Sequence, residues 1–267
     1  MKRLPGIEVK DVQAVYSGPE GLLWELLMGE QIHIGGLRSS MDLANKAGIE
    51  AGMRGMDLCC CTGAGMRFLV RFRGVSHMQG VDATSAMVEK GQRRCREEGS
   101  ASRIEFTLAE ATKTGLPPGA ADFVWGEDAW CYVPDKAALI AEAVRLVKPG
   151  GIIAFTDWIE GPAGMNDAQA ERFLRFMKFP NILDLAGYRD LLVHNRCTVR
   201  VAEDTGRFVP YVDLYVNMAE MQLTYDALRI IGFDAAVMEA IAGELHFARQ
   251  LAHEGRIAQG MFIARKQ

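Results

Sequence analysis

The chain has 267 residues, of which 49% are apolar, and a formal net charge of −4; this suits one large α/β domain, or one domain with a cap, around a sizeable core. No long basic run points to a nucleic-acid partner, and no apolar stretch reaches the roughly 20 residues of a membrane span. Cys59, Cys60 and Cys61 are adjacent, which is poor geometry for a disulfide framework, and no C-x-x-C or Cys/His spacing marks a metal site.

Residues 8–47 are expected to be helical and amphipathic, with Gly29 as a stop and an irregular segment at 32–36 before a helix at 39–46. This block precedes the first strand and can lie over the strand ends as a lid, with Tyr16 and His33 as its notable polar groups. A strand and loop at 55–61 leads into a helix at 66–73, a strand at 76–81 and a helix at 85–98 ended by Gly99. Ile104, Phe106 and Leu108 alternate as a third strand, with Glu110 just beyond. A fourth strand at 120–125 runs into Gly126, Glu127 and Asp128. A helix at 135–146 is stopped by Lys148-Pro149-Gly150-Gly151, and a fifth strand at 152–156 ends at Asp157 and Trp158. The Met/Phe-rich stretch 159–186 is expected to be helical and strand-free. A helix at 188–195, a strand at 198–203, helices at 210–231 and 234–254 and a strand at 259–265 complete the chain.

Strands alternating with helices imply a mostly parallel sheet covered on both faces, with ligands outside the carboxyl ends of the strands. The loop Cys59-Cys60-Cys61-Thr62-Gly63-Ala64-Gly65 opens a helix, where backbone N–H groups can meet a nucleotide-like ligand. Asp82, at the end of the next strand, is placed for ribose hydroxyls. Asp57, Glu110, Glu127 and Asp128 are further acids at or near strand ends.

These segments resemble class I S-adenosylmethionine (SAM)-dependent methyltransferases. Residues 57–65 resemble the family's Asp-Leu-Gly-Cys-Gly-Thr-Gly-x-Gly loop, Gly80-Val81-Asp82 its ribose-binding strand end, and Leu108-Ala109-Glu110-Ala111 its adenine-binding segment. Leu146–Gly151 resembles the Leu-Lys-Pro-Gly-Gly turn. Residues 29–36, 125–129 and 254–261 are similar to the sarcosine/dimethylglycine and phosphoethanolamine N-methyltransferases. The resemblance implies a Rossmann-like seven-stranded mostly parallel sheet with a helical cap. Its parts would be a lid at 1–48, a SAM-binding core at 49–158, a cap insertion at 159–187, and the rest of the core with added helices at 188–267.

The resemblance also implies SAM as cofactor, S-adenosylhomocysteine as product and no metal. Asp57, Cys59, Gly63, Gly65, Asp82, Ala83, Met87, Glu110, Ala111 and Glu127 are its cofactor-binding positions, with Glu110 and the Ala111 N–H at the adenine. Asp128, Tyr132, Tyr16 and His33 are the candidates for the chemistry. In the phosphoethanolamine group a histidine stands where this chain has Tyr132. Trp125 and Trp130 are expected in the core, a cation cage being the alternative. Cys59 and Cys61 replace family glycines. Either the loop takes dihedrals that cysteine tolerates, or the thiols crowd the cofactor and leave a pseudoenzyme or a redox-sensitive site. Methylation of a small amine of glycine or ethanolamine type is expected. The alternatives are C- or O-methylation of a larger apolar metabolite, and a non-catalytic binding or assembly protein. The acid-bearing strand ends and the Lys-Pro-Gly-Gly turn fit a methyltransferase better than an NAD-type dehydrogenase. The start of the chain lacks the apolar core of a signal peptide, so a cytoplasmic location with reduced thiols is expected, with a homodimer allowed and no membrane span.

Overall fold

The computed structural model describes residues 2–267. A short strand β1 (Lys2–Arg3) precedes helices α1 (Val9–Ser17), α2 (Pro19–Met28) and α3 (Gly36–Ala47). The alternating part follows: β2 (Arg54–Leu58), α4 (Ala64–Phe72), β3 (His77–Asp82), α5 (Ser85–Glu97), β4 (Ile104–Leu108), β5 (Ala121–Glu127), α6 (Lys136–Leu146) and β6 (Val147–Glu160). Then come α7 (Asp167–Met177), β7 (Asn181–Ile182), α8 (Leu185–His194), β8 (Cys197–Asp204), α9 (Phe208–Asn217), α10 (Thr224–Ile230), α11 (Ala235–His253) and β9 (Ile257–Lys266).

Seven strands form one sheet in the order β4-β3-β2-β5-β6-β9-β8. The pairs from β4 to β6 are parallel, and β9 runs antiparallel to both of its neighbours. The chain moves outward from β2 through β3 to β4, then returns to the other side of β2 as β5 and β6. This reversal leaves a crevice between the carboxyl ends of β2 and β5, where ligands of open α/β sheets bind.

Burial on both faces explains the nearly continuous apolar strands. One face packs Met78, Phe123 and Trp125 against Leu43, Phe68 and Leu69 from α3 and α4. The other packs Met56, Val124 and Phe155 against Leu139 and Ile140 of α6 and Tyr188 of α8. A third apolar cluster forms the cap. It joins Val15 and Trp24 to Trp158, Phe173, Val212 and Leu251, so helices from both ends of the chain share one core. Local signals set the helix ends. Asp135 accepts the Ala138 N–H at the start of α6 at 2.9 Å, and Asn166 and Gln169 form a capping box on α7.

Three expected elements differ. The fifth strand continues to Glu160 because β9 pairs with it all the way from Ile152–Arg265 to Glu160–Ile257. The stretch 159–186 is therefore helical only at α7 and at the first residues of α8, and it also holds β7, which pairs with β1. The helix at 210–231 is broken by a π-turn, Met218–Gln222, whose end is held by the Thr224 hydroxyl donating to Ala219 O at 2.8 Å. Among the described residues no helix is long and apolar enough to cross a membrane.

Gly126 on β5 lies against the fully buried indole of Trp130, whose Nε1 donates to Leu58 O at 3.2 Å. A Cβ at Gly126 would stand 2.8 Å from the indole Cε2. Gly126→Ala should therefore destabilise the protein by about 1–3 kcal/mol through overpacking. Urea unfolding measures this, and wild-type stability would show that the indole can move.

Candidate active site

The crevice at the strand reversal is a cleft of about 260 Å³ between the sheet edge and the lid helices. Every candidate residue except Gly63 lines it. Gly63 instead supplies a left-handed turn at φ 72°, and a side chain there would strike the Phe106 ring, so its role is local packing.

The three-cysteine loop departs from the expectation of dihedrals that cysteine tolerates. Cys59 and Cys61 lie at φ 63° and 49°, keeping the left-handed backbone that glycine takes freely. That conformation costs a side-chain-bearing residue about 1–2 kcal/mol each. Hydrogen bonds hold it: Cys60 N donates to Val81 O at 3.0 Å, Gly63 N to Cys60 O at 2.7 Å, and Cys61 N to Asp82 Oδ2 at 2.8 Å. A Cβ at Gly80 would meet Cys60 Sγ at 2.6 Å, so the close approach of loop and β3 depends on that glycine. Burial, helped by Asp82, pushes the Cys61 thiol up to about 12 and raises Cys59 well above its ordinary value. Both stay protonated at neutral pH and are poor nucleophiles, which argues against a redox-sensitive thiol.

Acids dominate the floor. Asp57 is buried and has no hydrogen-bond donor on its carboxylate among the described residues; burial, then Glu127 and Asp82, raises its pKa well above the ordinary value. Asp82 accepts from Cys61 N and, at 2.9 Å, from Thr84 N, which leaves lone pairs for a ligand. Burial still raises it. Gly65 opens α4 directly over this floor. A Cβ there would lie 3.0 Å from Glu127 Oε2 and 3.4 Å from Asp57 Oδ2. Ala83, Met87, Glu110 and Ala111 line the side of the cleft beyond Asp82.

The lid is tied down by polar contacts. Gln13 Nε2 donates to Ala83 O at 2.7 Å. The Tyr16 hydroxyl donates to the Tyr132 hydroxyl at 3.1 Å, with the rings edge-on. Burial is the first cause that raises both phenols above their usual range. Asp128, at φ 50°, accepts from Ile34 N at 2.8 Å and from Gln259 Nε2 at 2.8 and 3.0 Å. Its carboxylate therefore clamps the lid to β5 and β9. His33 is buried with Nε2 3.2 Å from Ser40 Oγ and 3.4 Å from Glu127 Oε1, and Ser40 Oγ donates to that oxygen at 2.7 Å. Trp125 and Trp130 are core residues, Trp125 Nε1 donating to Glu127 Oε2 at 3.0 Å and Trp130 stacking on Phe155.

Gln13, Ser40 and Gln259 join the site through tertiary contacts, and nothing in their local sequence marks them. Asp157 lies beneath it. Its Oδ1 accepts the Cys131 N–H at 3.0 Å, its Oδ2 takes the Tyr188 hydroxyl, and it thereby supports the turn that carries Tyr132. Lys136 is buried nearby and donates to Cys131 O at 3.1 Å and Val133 O at 2.6 Å. Among the described residues no group of three His, Cys, Asp or Glu side chains is arranged to hold a metal ion.

Residues 56–155 match the family model of a methyltransferase domain. The sterol 24-C-methyltransferase ERG6A of Gibberella zeae is 26% identical over 147 residues, 55% of this chain and 38% of that protein. Phosphoethanolamine N-methyltransferase 1 of Zea mays is 22% identical over 259 residues, 92% of this chain and 48% of that protein. The chain thus spans less than half the length of these curated relatives. The solved Haemonchus contortus phosphoethanolamine N-methyltransferase 2, in complex with phosphomonomethylethanolamine and S-adenosylhomocysteine, superposes with a TM-score of 0.85 at 18% identity. That match covers 98% of this chain and 60% of the other.

Burial lifts Asp157 from an ordinary 3.8 to about 7, with Lys136 and the Tyr188 hydroxyl opposing and Asp128 adding to the rise. A raised carboxyl binds its proton more tightly folded than unfolded, so its contribution to stability falls as pH rises through that window. The stability of wild type minus that of Asp157→Asn should therefore decline from about pH 4 to about pH 7. Urea titrations at stepped pH test this, and a constant difference would remove the buried acid as its source.

Proposed function

We propose that this chain, whose residues 56–155 form a methyltransferase domain in the class I SAM-dependent fold, transfers a methyl group from SAM to a small-molecule amine of glycine or ethanolamine type in the cytoplasm. The observation that carries this reading is the buried Asp57 carboxylate. It faces a cleft at the strand reversal without a donor among the described residues, where the cationic amino group of SAM would answer it. Asp82 would take the ribose hydroxyls, and Glu110 and Ala111 the adenine. Met87 and Ala83 would form the apolar wall beside it. The first turn of α4 at Ala64 and Gly65 would favour the carboxylate of the cofactor. Cys59 and Cys61 keep the glycine-like backbone of the family loop, which supports cofactor entry rather than a closed pocket.

SAM supplies a methyl carbon already activated by its sulfonium. The protein must align the nucleophile and exclude water. The Tyr16–Tyr132 pair closes the lid over the turn after β5, and both phenols remain protonated, so they orient rather than deprotonate. An amine must lose its proton before it attacks. Burial raises the Asp128 carboxyl above its ordinary value, which makes it a stronger base for that proton. Asp128 also holds Ile34 and hence the lid. C- or O-methylation of a more apolar acceptor is the second reading, supported by Val9, Val12, Ile32, Val133 and Pro134 in the cleft wall.

Calorimetry of the reduced protein with SAM and S-adenosylhomocysteine should give one-to-one binding, and no binding to either would leave the non-catalytic reading. Asp82→Ala should weaken SAM binding by roughly tenfold to a hundredfold, the worth of charge-assisted hydrogen bonds. Unchanged affinity would remove the ribose assignment. Asp128→Asn should lower turnover with little change in SAM affinity, and full activity would take Asp128 out of the mechanism.

A further inference from the structure

Among the described residues no lysine or arginine lines the cleft, while Asp57, Asp82, Glu110, Glu127 and Asp128 all do. Several cations of the surrounding elements are already engaged. Arg67 pairs with Glu30 and Glu98, at 2.6 and 2.9 Å, and donates to Thr62 O at 2.6 Å. Lys90 and Arg94 both grip Glu25. Lys136 donates to two backbone carbonyls. His33 turns Nε2 to Ser40 and Glu127, and Nδ1 lies 3.4 Å from Ile34 O.

Helix N-termini are the other means of holding an anion. Four helices begin at the cleft. The start of α1 is closed by a capping box of Glu8 and Asp11, that of α6 by Asp135, and at the start of α5 the Thr84 N–H is taken by the Asp82 carboxylate, which stands in front of that end. The remaining one, at α4, faces the loop assigned to the cofactor. The wall beside Tyr16 and Tyr132 is completed by neutral Val12, Ile32, Ala129 and Val133.

We infer that the methyl acceptor carries no phosphate or carboxylate and is an amine whose remaining groups are uncharged, such as an alkyl or hydroxyalkyl amine. The inference rests on the methyltransferase reading and narrows its acceptor class. A phosphorylated acceptor would have to set its anion among carboxylates with no cation to answer it.

The test titrates choline and phosphocholine into protein saturated with S-adenosylhomocysteine, as dead-end complexes of the two head-group types. Choline should bind at least about tenfold more tightly than phosphocholine. Equal or tighter binding of phosphocholine overturns the inference, and so does failure of both to bind, because a site for an uncharged-tail amine must admit choline. Val133→Lys places a cation on the wall and should raise phosphocholine affinity without changing that for S-adenosylhomocysteine. Loss of S-adenosylhomocysteine binding in the wild type would instead remove the methyltransferase reading, and with it the inference. The two failures are separated by the first titration.

Discussion

Negative charge concentrated at the strand reversal is the constraint on which this site depends. Asp57, Asp82, Glu127 and Asp128 stand close together at the carboxyl ends of three strands, and the cleft they line holds no lysine or arginine among the described residues. Burial favours the protonated form and raises both Asp57 and Asp82, and at Asp57 the neighbouring Glu127 and Asp82 charges add to the rise. Such an arrangement weakens the fold by itself and gains from a cationic ligand, since whatever binds the native state alone also stabilises it. The sulfonium and ammonium of SAM have that charge.

The lid is the second consequence. Asp128 belongs to the acidic floor, yet its oxygens are occupied by Ile34 N–H and by the Gln259 amide. One carboxylate therefore joins the N-terminal helices, the turn after β5 and the final strand. Tyr16 and Tyr132 make the same connection across the mouth, and Asp157 supports it from below by holding Cys131. Strain is concentrated here too: Cys59, Cys61 and Asp128 all take left-handed backbone around one cleft. Residues held in costly conformations persist where their surroundings over-determine them, and they cluster at functional sites.

Much of this was legible along the chain, because the carboxyl ends of parallel strands are local features. A glycine-bearing loop after an apolar strand, Asp82 at the end of the next strand and Glu127-Asp128 at the end of another all follow from alternation and turn chemistry. The sheet then carries them to one edge. The cap was not legible in the same way. The stretch 159–186 has the composition of helix, but β6 continues into it because β9 lies alongside, and Asn181–Ile182 becomes a strand because Lys2–Arg3 pairs with it. Short apolar runs carry no period long enough to choose between helix and strand, so a remote partner decides.

The sequence by itself determined the alternation of strands and helices from β2 to β6, the loop that opens α4, and the acids that the sheet gathers at the crevice. These depend on neighbours within a few residues and on the handedness that parallel crossovers obey. Tertiary structure alone decided that Asp128 clamps Ile34 and Gln259, that Tyr16 meets Tyr132 across 116 positions, and that Gly63 serves packing while Gly65 faces the cleft. It also decided that the cysteines at 59 and 61 keep a glycine's backbone. The physical reason is that side-chain direction, burial and hydrogen-bond partners at this site are set by segments from both ends of the chain packing over one sheet edge, and no local pattern encodes that meeting.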